Sequence, residues 1–194
     1  MKLWILSDLH ADHGVGYMAV AAPDFDVFVC AGDVMTGDVA GSIERVAAIA
    51  RGRPAVFVMG NHEWMTSADM EEVLDEAHAT ARREGVHFLE CDAVEIGGVG
   101  FAGATLWTPD DVRFAPSVVA LARLKADVVV THFPPSFPMR TPPAGAKLWI
   151  FGHHHGFEDA RSDRYRIVRN AVGYGNEVVD GEPARPDFTV EFEL

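Results

Sequence analysis

Val27-Phe28-Val29-Cys30-Ala31-Gly32-Asp33 is the stretch on which the fold turns. Five apolar residues run without a polar break, then stop at a glycine and an aspartate. A run this short, rich in β-branched and aromatic side chains, reads as a strand buried on both faces. Such strands occupy the interior of α/β sheets, where ligands sit beyond the carboxyl ends of the strands. Gly32 permits a sharp turn or a close backbone approach. Asp33 is thereby delivered to the edge of the sheet, where its carboxylate can serve chemistry.

Four further stretches share this form. Leu3–Leu6 leads into Ser7-Asp8-Leu9-His10, and Val56–Met59 into Gly60-Asn61-His62-Glu63. Val128–Val130 leads into Thr131-His132, and Leu148–Phe151 into Gly152-His153-His154-His155. A polar turn after a strand accounts for any one of these endings. Five endings in Asp, Asn or His point instead to a metal centre assembled from strand ends.

The chain has 194 residues, 48% of them hydrophobic, with 18 glycines. These values fit one globular α/β domain over residues 1–194 with a sizeable core. The formal charge of −13 argues against broad binding to nucleic acid or anionic membranes. An anionic substrate stays possible, because bound cations would dominate the local field. The two cysteines, Cys30 and Cys91, read as reduced thiols. No secretory signal is visible and no apolar run approaches ~20 residues, so the expectation is a cytoplasmic protein with no membrane span.

Further elements follow from pattern. Lys2–Leu6 and Ala55–Met59 read as strands, and Gly14–Ala22 as a short helix before Pro23. Asp38–Arg51 has helical spacing, with Gly52 as its stop. Ser67 is the expected cap of a helix running to Arg83, ended by Gly85. Val86–Leu89 is a short strand, and Gly97-Gly98 marks a hairpin between Ala93–Ile96 and Val99–Ala102. A helix is expected over Ser117–Lys125, after Pro116, and a proline-rich loop over Phe133–Ala146. Alternation marks Arg164–Arg169 and Phe188–Leu194 as strands. Early βα units and late hairpins suggest two packed sheets, of mixed α/β type, with helices outside.

The candidate ligands are Asp8, His10, Asp33, Asn61, His132, His153 and His155. On extended strands Asp8 and His10 would point the same way, as would His153 and His155, with His154 turned away. Two carboxylates, one amide oxygen and four imidazoles exceed the needs of one ion and suggest two. A carboxylate can bridge two cations, and Asp33 is placed for it. Two ions ~4 Å apart can hold a hydroxide and clamp a phosphoryl group for in-line attack. His62 is the titratable side chain beside Asn61 with no necessary ligand role, which suits an acid.

The blocks Asp8-Leu9-His10, Gly32-Asp33, Gly60-Asn61-His62-Glu63, His132 and Gly152-His153-His154-His155 resemble, in order, the D-x-H, GD, GNH[DE], H and GHxH motifs of the calcineurin-like metallophosphoesterases. The resemblance spans Asp8 to His155. It implies a two-sheet β-sandwich flanked by helices, with a dinuclear site at the strand ends. One metal would be held by Asp8, His10, Asp33 and His155, the other by Asp33, Asn61, His132 and His153. His62 would protonate the leaving oxygen, with Asn61 beside it. Protein-serine/threonine phosphatases carry an aspartate three residues after the GD aspartate, which orients their histidine. Thr36 stands there in this chain, leaving Asp38 or Glu63 as alternatives. The short span from Leu106 to His132 suggests an open site without a large cap.

The implied function is metal-dependent hydrolysis of a small phosphate mono- or diester. Mixed imidazole and oxygen ligands suit Mn, Fe, Zn, Ni or Co, with Mn favoured. The alternative is a non-catalytic scaffold of the same fold for protein interaction, and a DNA-end nuclease is disfavoured by charge. Oligomeric state is not legible. Asp12 and His13 could touch substrate or lie on a solvated loop, and His154 could face solvent or substrate. His78 and His87 read as surface or core. Trp107 could wall the pocket or join the core. Arg161, Arg164, Arg166 and Arg169 could bind phosphate or form a solvated face.

Overall fold

The computed structural model describes residues 1–13, 21–135, 145–175 and 181–193. Its elements in chain order are β1 (Lys2–Leu6), β2 (Val27–Cys30), α1 (Val39–Ala50), β3 (Ala55–Phe57), α2 (Met70–Glu84), β4 (Val86–Phe88), β5 (Asp92–Ile96), β6 (Val99–Ala104), α3 (Phe114–Arg123), β7 (Val128–Thr131), β8 (Leu148–Phe151), β9 (Gly156–Arg161), β10 (Arg166–Ala171) and β11 (Thr189–Glu191). The first sheet has the order β11-β1-β2-β3-β4. Its four leading strands are parallel, and β11 closes the outer edge of β1 antiparallel. The second sheet has the order β5-β6-β7-β8-β10-β9, with a parallel centre and antiparallel edges.

Side chains alternate across each strand, and this divides every apolar run between two cores. Leu3, Ile5, Val27, Val29 and Val56 face Phe101, Val128, Val130, Leu148 and Ile150 in one cluster between the sheets. From the same strands, Trp4, Leu6, Phe28, Cys30 and Phe57 point outward onto Ile43, Val46 and Ala77 of α1 and α2. On the far side, Ala102, Ala104, Val129 and Trp149 pack with Phe114 and Leu121 of α3. The layers are therefore helix, sheet, sheet, helix, as expected. Burying a side chain such as Phe28 or Ile5 stabilises the fold by about 1.5–3 kcal/mol, and both are fully buried.

Several boundaries differ from the sequence expectation. Asp69, not Ser67, caps α2, because Asp69 and Glu72 can form a reciprocal capping box. Arg51 takes the left-handed cap of α1 at φ 55°, and Gly52 follows it. α3 starts at Phe114 and includes Pro116 in its first turn, where no intrahelical N–H is needed. Strand β9 was not foreseen, and β11 is shorter than Phe188–Leu194. Gly97 and Gly98 do form the hairpin turn, with φ of 58° and 84°. The expected helix at Gly14–Ala22 falls mostly outside the described residues, as do the centre of the Phe133–Ala146 loop and Leu194.

Asn170, on β10, fastens the sheets to each other near their carboxyl ends. Its amide donates to the carbonyls of Ile5 and Arg185 and accepts from the backbone N–H of Arg185, each at 2.8 Å. Ser7 continues the link, pairing with Ala171. Cys30 is buried, Cys91 is half-buried, and both are free thiols. Among the described residues no helix is long and apolar enough to cross a membrane.

Candidate metal centre

Every candidate ligand lies just past the carboxyl end of a parallel strand. Asp8 and His10 follow β1, Asp33 follows β2, Asn61 and His62 follow β3, His132 follows β7, and His153 and His155 follow β8. The strands share a direction, so their ends converge on one crest spanning both sheets.

The side chains are aimed by turns, contrary to the extended geometry expected. Asp8, His10, Asp33 and His153 have φ of 54°, 41°, 56° and 67°. Left-handed backbone in such residues costs about 1 kcal/mol or more each and is held by surrounding contacts. Asp8 N donates to Gly32 O at 2.8 Å, and His10 N donates to Asp33 O at 3.1 Å. The motif glycines supply space. A Cβ at Gly60 would lie 2.1 Å from Asp33 Oδ1, one at Gly152 would lie 2.6 Å from Asp8 Oδ2, and one at Gly32 would lie 2.4 Å from Gly60 N.

Two ligand groupings result: Asp8 with His10 and His155, and Asp33 with His132 and His153. In the first, His10 Nε2 and His155 Nε2 stand 3.2 Å apart, and Asp8 Oδ1 lies 3.5 Å from His155 Nε2. In the second, Asn61 Oδ1 is 3.1 Å from both His132 Nε2 and His153 Nδ1, and Asp33 Oδ2 is 3.4 Å from His132 Nε2. Imidazole nitrogens turned on one another and on carboxylates gather lone pairs in one place. Among the described residues, His10 Nδ1 is buried without a hydrogen-bond partner. This nitrogen and oxygen set fits divalent transition-metal cations.

The protonation pattern suits that reading. Burial holds His10 and His153 down to about 4, so both rings are neutral at neutral pH, the form in which an imidazole can bind a cation. His132 moves the other way. Burial opposes its charge, but the Asp33 carboxylate outweighs burial and raises it to about 9. Asp33 falls to about 2, because His132 overcomes the cost of its burial. His132 Nδ1–H donates to Ala31 O at 2.8 Å, which leaves Nε2 to face the site. A cation held at Nε2 would take the place of the proton that Nε2 carries in the charged ring.

Among the described residues, the Glu63 carboxylate is engaged by groups other than the His62 ring. It is fully buried and accepts from the backbone N–H of Asp33, Val34 and Gly60 and from Ser42 Oγ, at 2.7–3.0 Å. It therefore ties the Asp33 turn to the Gly60 turn. Asp38 is also committed elsewhere, accepting from Gly41 N to cap α1. The hydroxyl of Thr36 meets His62 Nδ1 at 3.0 Å. His62 Nε2 faces inward, 3.9 Å from Asp33 Oδ2, and its backbone N–H donates to Asp33 Oδ1 at 2.9 Å.

Sequence reasoning missed Tyr174. Its ring stacks on His10 at 4.2 Å and 22°, meets His155 edge-on at 5.2 Å, and brings its hydroxyl 3.4 Å from His62 Nε2. Its flanking glycines, Gly173 and Gly175, were the available signal. His13 is exposed and joins His10 and His62 in a further grouping at the mouth. Asp12 accepts from Thr36 N at 3.2 Å. His154 is exposed beside His153. With Trp107, Pro109, Phe133 and Pro134 these two line a cleft of about 100 Å³, so Trp107 is both buried and a wall. His78 packs on Phe88, and His87 lies on β4, away from the ligands. Arg166 and Arg169 are largely covered and pair with Asp159 and Glu158 across β9 and β10, whereas Arg161 and Arg164 are exposed.

The family model for calcineurin-like phosphoesterases matches residues 1–157. No curated protein sequence matches the chain significantly. Among solved structures, the phosphopantetheinyl hydrolase of Mycobacterium tuberculosis superposes with a TM-score of 0.60 at 21% identity, covering 89% of each chain. A candidate 5′-nucleotidase from Staphylococcus aureus, in complex with α-ketoglutarate, gives a TM-score of 0.51 at 14% identity, over 87% of this chain and 48% of that one. At these identities the likeness is one of fold.

Proposed function

The chain belongs to the calcineurin-like phosphoesterase family, and from that premise we propose that it hydrolyses a small phosphate mono- or diester with the help of two divalent cations. The observation that carries this reading is the convergence of Asp8, His10, Asp33, Asn61, His132, His153 and His155 on one crest, with His62 turned into it. Asp8, His10, Asp33 and His155 would hold one cation, and Asp33, Asn61, His132 and His153 the other, Asp33 serving both. Bound there, the cations supply Lewis acidity to water and to the phosphoryl oxygens.

The chain's own residues do the rest. Glu63 and the motif glycines fix the oxygen donors, so little reorganisation accompanies reaction. His62 Nε2–H gives its proton to the ester oxygen as the bond from phosphorus to that oxygen breaks. The alcohol leaves neutral, water's oxygen takes its place on phosphorus, and the proton that water gives up passes to solvent, from which His62 is reprotonated. Asn61 would hold its cation and belongs to the turn that presents His62. We place this activity in a single domain of a cytoplasmic protein, with manganese as the favoured metal; its free thiols support that compartment.

The test is a screen of purified protein against alkyl and nitrophenyl mono- and diesters. Chelation should abolish hydrolysis and Mn²⁺ should restore it. Full activity in rigorously metal-free protein would sink the proposal. Tight binding of two ions with no hydrolysis of any ester would favour a protein-interaction scaffold.

A further inference from the structure

We propose that Thr36 is the positioning residue of His62, filling through a neutral hydroxyl the orienting place that Asp38 and Glu63 leave vacant. This inference rests on the reading of His62 as the acid. An imidazole that donates a proton from Nε2 needs its Nδ1–H held, or the ring and its tautomer drift. Thr36 Oγ1 lies 3.0 Å from His62 Nδ1. A hydroxyl can accept there while its own proton goes elsewhere. The Asp12 carboxylate accepts the backbone N–H of Thr36 at 3.2 Å, which brings it within reach of the hydroxyl. With the hydroxyl proton drawn toward Asp12, the lone pairs of Oγ1 face His62 and select the Nδ1–H form. Nε2 is then the atom presented to the ligand crest.

The backbone is built for this contact. Gly37 N donates to His62 O at 2.9 Å, and Met65 N donates to the same carbonyl at 3.0 Å. Gly37 has φ of 65°, and a Cβ there would lie 2.6 Å from Met65 O. The loop after Asp33 is thus locked against the turn that carries His62, which keeps the Thr36 hydroxyl beside the imidazole. The carbonyl of His62 and the hydroxyl of Thr36 together fix where the ring stands.

The experiment measures kcat/KM for an alkyl ester and a nitrophenyl ester in Mn²⁺-loaded wild type, Thr36→Val, Thr36→Ser, His62→Asn and the Thr36→Val/His62→Asn double variant. Bound metal is counted in each. Thr36→Val should slow the alkyl ester by up to ~10²-fold, the scale of a misplaced catalytic group, and barely touch the nitrophenyl ester, which leaves without a proton. Thr36→Ser should restore most of the loss, and Thr36→Val should add nothing once His62 is gone. In metal-free protein at mildly alkaline pH, imidazole ¹⁵N spectra should show His62 in the Nδ1–H form, and Thr36→Val should erode it. A Thr36→Val protein with normal alkyl-ester turnover, or one whose loss adds to that of His62→Asn, overturns the proposal. If His62→Asn slows both esters equally, the acid role falls instead, and Thr36 then stands or falls by its coupling to His62 and by the spectra.

Discussion

The first sheet brings Asp8, Asp33 and Asn61, all the oxygen donors, together with His10 and His62, whereas the second brings the imidazoles of His132, His153 and His155. The first group is set by backbone. Asp33 sits in a left-handed turn clamped by Glu63, Gly60 leaves it room, and Asp8 accepts the His153 N–H with both oxygens at 3.1 Å. The second group is set more by packing and single side-chain contacts: His132 donates to Ala31 O, and the His153 ring lies 4.3 Å from that of Phe133. The difference teaches that disturbing the first group should damage turns and ligands together. Disturbing the second should remove ligands one at a time.

Asp33→Asn gives the sharpest test of that contrast and the largest expected effect. A ligand shared by both cations should take both with it, dropping hydrolysis to background, whereas His153→Ala should remove mainly one. Elemental analysis of the two variants decides the matter, and an Asp33→Asn protein that keeps two tight ions would break the comparison.

Glu63→Ala comes next. It leaves the Asp33, Val34 and Gly60 N–H groups without their acceptor, each costing about 1–3 kcal/mol when buried. Urea unfolding should show a loss of at least about 3 kcal/mol. A smaller loss would mean that the turns stand without the clamp.

The third prediction concerns pH in the metal-free protein. His132 is raised to about 9 in the fold by Asp33, which overcomes burial, from an unfolded value of about 6.5. Its stabilisation is therefore complete below about 6.5 and disappears as pH rises through 9. Urea midpoints measured in chelator should fall across that window, and His132→Gln should flatten the fall. Metal-loaded protein should lack it, since ligation requires neutral His132.

Asn170→Ala should have the smallest effect, about 1–3 kcal/mol, because it loosens the fastening between the sheets without touching a ligand. Thermal unfolding should register it while metal stoichiometry remains two. Loss of a cation in this variant would show that docking of the sheets, and not the turns alone, sets the ligand geometry.

The sheets were legible because parallel strands buried on both faces leave unbroken apolar runs such as Val27–Ala31 and Leu148–Phe151. The candidate ligand set was legible because each run ends in a metal-binding residue type. The left-handed turns were hidden, since nothing in Asp8-Leu9-His10 marks φ of 54° and 41°. Tyr174 was hidden for another reason: its partner, His62, is 112 residues away, and no local pattern records such a contact. The place of Thr36 was marked by the family motif, but a threonine there did not announce its 3.0 Å contact with His62. Asp69 displaced Ser67 as a cap because reciprocity with Glu72 outweighs the presence of a hydroxyl.

The antiparallel strand beside β1 carries a consequence for the order of assembly. Strands β1 to β4 and helices α1 and α2 occupy one contiguous stretch, Lys2–Phe88, so their pairings close over modest loops. The remaining neighbour of β1 lies far along the chain, with Leu3 opposite Val190. On the ribosome, the first sheet can associate long before that partner exists, and until then β1 presents an open row of backbone donors and acceptors. Unpaired edges of this kind recruit other chains, and distant pairings come late. The nascent chain is therefore most prone to aggregate during the interval between completion of β4 and arrival of β11.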